Sequence, residues 1–122
     1  MTRPLVYVAG PITGDPWGCV RKATKAARAL DTDYRFDTYL PQLSVLWEIV
    51  DPQPYEYWIS LGFNMLSRCD GLIRLPGDSP GADREVNHAL ELGLPVLSHH
   101  DDLKEWASYV RAQHAYRQEQ DR

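Results

Sequence analysis

Residues 76–92, PGDSPGADREVNHALEL, follow an apolar run, Gly71-Leu72-Ile73-Arg74-Leu75, and the junction between the two decides the fold class. The order reads as strand, loop and helix. Ser79 suits an N-cap and Pro80 the first helical position, because proline has no N–H to lose there and its φ is already helical. The free N–H groups of such a turn point into the crevice at the C-terminal end of the strand, where open α/β sheets bind ligands, anions above all. On the helix, Ala82, Val86, Ala89 and Leu90 form the apolar face, and Arg84, Asn87, His88 and Glu91 lie opposite. Glu85 falls at the edge of the apolar face. Position alone favours a solvated helix glutamate; one turn into the helix, the same carboxylate would also lean toward the crevice and lose part of its water.

The chain has 122 residues, enough for one domain with a real core and too few for two. Residues 1–122 are therefore read as a single domain. With 43% hydrophobic and 25% charged residues the composition is that of a globular protein. A net charge of −4 gives no general reason to bind polymeric nucleic acid or an anionic membrane, so an anion needs a local site. No apolar run approaches membrane-spanning length, and the chain enters Leu5-Val6-Tyr7-Val8 without a signal-peptide pattern, so a cytoplasmic location is expected. Cys19 and Cys69 are then expected to stay reduced. There is no CxxC, HExxH or Cys/His cluster. In His99-His100-Asp101-Asp102, consecutive side chains of an extended segment point to opposite sides, and neither a metal nor a cofactor is expected.

In chain order, Leu5–Ala9 suits a buried parallel strand. Gly10-Pro11-Ile12-Thr13-Gly14-Asp15-Pro16 follows as a tight loop whose backbone can approach a ligand closely, although it is neither GxGxxG nor a P-loop. Trp17 to Leu30 reads as a helix with Val20, Ala23, Ala26, Ala27 and Leu30 inward and a solvated basic face. Arg35 to Leu40 reads as a second strand. Gln42 to Pro54 reads as a short helix or ordered loop, with Leu43, Leu46, Trp47, Ile49 and Val50 walling a pocket. Trp47, Tyr55, Tyr57 and Trp58 offer aromatic surface, for packing or for stacking a base. Tyr55 to Cys69 is a helix, Gly71 to Leu75 a strand, and Gly93 stops the helix that follows. Pro95 to Ser98 is another strand. A last helix, capped by Asp101 or Asp102, turns Leu103, Trp106, Tyr109 and Val110 inward, and the polar tail from about residue 111 frays.

Strands alternating with helices predict a small doubly wound parallel sheet flanked by helices, with ligands at its C-terminal edge. The loops after Ala9 and Leu75 meet there on this reading. They bring together their backbone N–H groups, the Ser79 hydroxyl, and the pair Tyr7 and Glu85. A carboxylate beside a phenol suits attack on a carbon that develops positive charge.

VYVAGPITG near the N-terminus and CDGLIRLPGDSPGADREVNHALELGLPV together resemble the nucleoside 2-deoxyribosyltransferase superfamily, and are similar to its 2'-deoxynucleoside 5'-monophosphate N-hydrolases. The resemblance implies a homodimer of flavodoxin-like domains that cleaves an N-glycosidic bond. Residue by residue, it implies Glu85 as nucleophile and Tyr7 as its hydrogen-bonding tyrosine. Gly10, Ile12 and Gly14, with Pro11 and Thr13 between them, match the first sugar and phosphate loop. Ser79 and Gly81, next to Asp78, match the second, where a serine in the hydrolases binds the 5'-phosphate and the transferases place an aspartate. Trp47 or Trp58 is assigned to stack the base.

Two positions depart from the pattern. Gly62 stands where the superfamily carries an aspartate that contacts the sugar or helps protonate the leaving base, with Asn64 or Asp78 as candidate substitutes. Thr13 replaces an arginine near the phosphate. Three readings stay open: a nucleotide N-glycosidase, a non-catalytic nucleotide-binding protein, and a base-exchanging deoxyribosyltransferase, against which Ser79 argues.

Overall fold

Leu5–Ala9 forms strand β1, in which Val6 through Ala9 are fully buried, as a strand covered on both faces requires. The computed structural model, which describes residues 2–98 and 101–121, sets β1 inside a parallel sheet with β2 (Asp37–Tyr39), β3 (Gly71–Arg74) and β4 (Val96–Leu97). The strand order is β2-β1-β3-β4. With helices on both faces, this is the flavodoxin-like, doubly wound arrangement.

Alternation along β1 sorts the core into two layers. Tyr7 and Ala9, with Leu72, face α3 (Tyr55–Leu66) and α4 (Pro80–Glu91), where Leu66, Ala82 and Ala89 meet them. Val6 faces the other way, onto Leu30 of α1 (Pro16–Tyr34), Phe36, and Trp106 and Val110 of α5 (Leu103–Gln120). A short helix, α2 (Val45–Val50), follows the 3-10 turn Pro41–Ser44. The parallel register, Tyr7 opposite Tyr39 and Leu72, aims all strand ends at one edge.

Several expected boundaries shift for identifiable reasons. Helix α1 runs past Leu30 to Tyr34, because Arg3 holds Asp31 at 2.7 Å and Tyr34 stacks on Phe36. The tail from residue 111 does not fray. Its polar residues form a stripe at helical spacing that docks on a buried carboxylate. His114 Nδ1 lies 3.0 Å from Asp70 Oδ2, Arg117 Nη2 donates to Ser67 O, and Gln118 Nε2 donates to the Thr2 hydroxyl. Asp70 is 4% exposed and also accepts from the Leu5 N–H, so the latch ties α5 to the starts of β1 and β3. Along α5, Trp106, Ala107 and Val110 are buried, whereas Leu103 and Tyr109, expected inward, are exposed. Leu90 of α4 is exposed as well.

Leu43, Leu46, Trp47, Ile49 and Val50 are all exposed to solvent, Val50 at 84%. Asp102 caps α5 through Lys104 N and Glu105 N, and Asp101 accepts from the Ser98 N–H and hydroxyl. His99 and His100, considered above for metal ligation, lie outside the described residues. Cys19 and Cys69 are both free thiols, and burial pushes Cys69 up to about 12.

Candidate active site

At the C-terminal edge of the sheet the loops after β1 and β3 meet, as their sequence order suggests. The Leu75 N–H donates to Ala9 O at 2.8 Å. Pro11 fills the space over Gly77, whose φ of +118° needs glycine; a Cβ there would stand 2.7 Å from the proline ring. Gly10 is wedged between the loops, with Leu75 Cβ 3.1 Å from where its own Cβ would be. Ile12 is half-buried, and Thr13, Gly14 and Asp78 are exposed.

Ser79 caps α4 by accepting the Ala82 N–H at 3.1 Å, and the Asp83 N–H donates to Ser79 O. The N–H of Gly81 is left as an open donor of the first turn, beside the positive end of the helix dipole. Tyr55 of α3 leans over this point, its hydroxyl 3.2 Å from where a Gly81 Cβ would be.

One turn further along α4, Glu85 is turned inward. It is 7% exposed, and Tyr7, fully buried on β1, donates its hydroxyl proton to Glu85 Oε2. Burial drives the Glu85 carboxyl from 4.5 up to about 7, against the opposing pulls of the Tyr7 hydrogen bond and the Arg74 charge. The Tyr7 phenol is pushed up, first by burial and then by Glu85, which keeps it a neutral donor. Among the described residues the only buried side-chain polar atom without a partner is Gln42 Oε1. Glu85 Oε1, which forms no hydrogen bond, therefore keeps a face open to solvent. The carboxylate thus has one oxygen anchored and one available.

Gly62 of α3 lies directly on this pair. A Cβ at position 62 would stand 2.6 Å from Tyr7 Oη and 2.8 Å from Glu85 Oε2. The helices approach closely because no side chain intervenes, and the room for an aspartate is gone. Asn64 does not replace it. Two residues along a helix turn by roughly 200°, and Asn64 is exposed with its Oδ1 bound to Arg68.

The aromatic residues are divided. Trp58 donates its indole N–H to Glu48 at 2.6 Å and packs edge-on against Trp47 and Tyr57. Trp47 is 47% exposed on α2. Their geometry is that of a mutually packed surface cluster.

Two residues near the pair were missed in the sequence. Tyr39 pairs with Tyr7 across β2 and β1, ring centroids 5.3 Å apart, and its hydroxyl is pushed up by burial and by Glu85. Arg74 shares the Leu72 face of β3 by simple alternation, which would have found it. Its guanidinium bonds Leu75 O, Gly77 O and Asp83, clamping the second loop while its charge acts on Glu85.

A family model for a domain of unknown function, DUF4406, matches residues 4–98. The chain belongs to this family. The matched span of the DUF4406 domain runs from β1 through β4 and contains Tyr7, Gly62 and Glu85; α5 lies beyond it. No curated protein and no solved structure matches the DUF4406 chain.

Proposed function

We propose that this DUF4406 domain is an N-glycosidase that hydrolyses a 2'-deoxynucleoside 5'-monophosphate, with Glu85 as nucleophile. The observation that carries the reading is the buried Tyr7–Glu85 pair, in which the phenol fixes one carboxylate oxygen and leaves the other open. In the first step Glu85 Oε1 bonds to C1' while the C1'–N bond breaks and its electrons leave with the base, which takes up a proton from solvent. Water then attacks C1' and gives a proton to solvent, while the C1'–Oε1 bond breaks with its electrons returning to the Glu85 carboxylate, and deoxyribose 5-phosphate is released. The Gly81 N–H and the Ser79 hydroxyl proton, at the positive end of α4, suit the 5'-phosphate. The serine supports a nucleotide rather than base exchange, as in the resemblance to the N-hydrolases.

The same reading takes the protein as a cytoplasmic homodimer. Leu43, Leu46, Ile49 and Val50, exposed around Trp47, form the apolar surface for a second copy.

Gly62 favours one alternative, a nucleotide-binding protein that does not turn its ligand over. Loss of a proton-donating group costs about 10²–10⁴-fold in rate. Incubation with each of the four 2'-deoxynucleoside 5'-monophosphates, followed by chromatography, separates the two. Free base and deoxyribose 5-phosphate support hydrolysis; thermal stabilisation by a nucleotide that stays intact supports the binding protein.

A further inference from the structure

Strand β4 ends the sheet on the side away from β2, and its outer edge is open. Val96 lies in parallel register with Leu72, and Pro95 O accepts the Leu72 N–H at 2.9 Å. In such a ladder only alternate residues bond the same neighbour, so Val96 turns its own N–H and C=O away from β3. Among the described residues no strand lies beyond β4. An unpaired edge of this kind is a template for another extended chain.

A groove runs along this edge between β4 and α5. Leu94, Pro95, Tyr109 and Gln113 line one end, a space of about 420 Å³. Val96, Asp101, Asp102 and Glu105 line the other, of about 280 Å³, and Pro95 and Tyr109 border both, so the two spaces are continuous. Tyr109 is 55% exposed and offers its ring to whatever lies there. The three carboxylates are exposed, yet each is held in place. Asp101 accepts from the Ser98 N–H, Asp102 from the Lys104 and Glu105 N–H groups, and Glu105 from the Tyr109 hydroxyl. Among the described residues no basic side chain lines either space. One wall of the groove, α5, lies outside the span that the family model matches.

We propose that the groove between β4 and α5 docks an extended basic segment of a partner protein, which adds to the sheet at Val96. Running antiparallel to β4, one residue of the segment exchanges both backbone hydrogen bonds with Val96. Its apolar side chains rest on Pro95 and Tyr109, and its lysine or arginine side chains meet Asp101, Asp102 and Glu105. Charge selects this occupant over a second copy of the chain, whose own edge, Leu94-Pro95-Val96-Leu97-Ser98, carries no basic residue. The assignment is independent of the glycosidase reading, since none of these residues belongs to the Tyr7–Glu85 site.

The test is an NMR titration of the isotope-labelled full chain with two end-blocked hexapeptides, Lys-Val-Lys-Val-Lys-Val and Glu-Val-Glu-Val-Glu-Val. The lysine peptide is expected to give saturable shifts centred on the Val96, Tyr109 and Gln113 amides, to protect the Val96 N–H from exchange, and to bind about tenfold or more tighter than the glutamate peptide. Added salt weakens it. Glu105→Lys, a change at an exposed position, is expected to weaken the lysine peptide about fivefold or more. Equal affinity for the two peptides, shifts that miss Val96, unchanged affinity in Glu105→Lys, or no binding of either peptide overturns the assignment. Shifts at Val96 that depend on protein concentration without peptide give the edge to a second copy, and overturn it as well. The comparison of the two peptides uses the unmodified chain, so it decides even where the variant does not fold.

Discussion

The Tyr7 hydroxyl, on the central strand, donates to Glu85 Oε2 one turn into α4, and both side chains are withdrawn from water. Tyr7→Phe removes the donor without opening a large cavity. The carboxylate then loses the partner that lowers its pKa, and Glu85 is expected to titrate above its present value of about 7. Base release at neutral pH should fall about tenfold or more and recover partly at higher pH. A pH–rate profile checks this.

The same carboxyl makes stability depend on pH. Its folded-state pKa, about 7, stands above the ordinary 4.5, so the native chain holds a proton that the unfolded chain gives up between those values. The contribution is fully present below pH 4.5 and is lost as pH rises through about 7. A displacement of that size corresponds to roughly 3 kcal/mol. Denaturant unfolding at about pH 5 and pH 8 should show the decline, and Glu85→Gln should remove most of it.

Gly62→Ala puts a methyl group against both members of the pair, where the nearest atoms stand at 2.6 and 2.8 Å. Overpacking of this kind costs about 1–3 kcal/mol. Gly62→Asp, a larger side chain at the same point, is expected to destabilise further and to lower base release rather than raise it. Thermal melts and activity of the two variants test the point together.

The surface around α2 should carry the homodimer. Val50→Glu combined with Leu46→Glu places charge on two of its most exposed apolar residues, at 84% and 62%. Light scattering is expected to give a dimer for the unmodified chain and a monomer for the double variant, with the melting temperature of the monomer little changed.

The latch on α5 holds Asp70, whose carboxylate is buried between His114 and Arg117. Replacing both with alanine leaves that buried carboxylate without the His114 hydrogen bond and the Arg117 charge, and loss of about 3 kcal/mol is expected. Urea unfolding measures it.

Much of this arrangement was legible in the sequence. Apolar run, turn and capped helix at 71–92 carried the strand, the N-cap and the direction of the crevice. The deviations share a cause: the signals used were apolar periodicity and local turn chemistry. The α5 stripe of His114, Arg117 and Gln118 is polar, so its docking was invisible until Asp70 was seen to be buried. Leu43 to Val50 had the apolar character of a core segment, and nothing local reveals that an apolar face has no partner within its own chain. The burial of Glu85 depends on how closely α3 approaches, which Gly62 sets from a distant stretch of chain. That Gln42 is buried with its Nε2 donating to Val8 O follows from where β2 ends relative to β1, a matter of register that sequence spacing does not contain.

The most direct measurement is the rate of base release by Glu85→Gln from the best 2'-deoxynucleoside 5'-monophosphate, beside the unmodified chain. The amide keeps the size of the side chain and removes its nucleophilic oxygen, so release should fall about 10³-fold or more with the fold intact. Release within about tenfold of the unmodified chain, or none from either protein, would contradict a glycosidase built on Glu85.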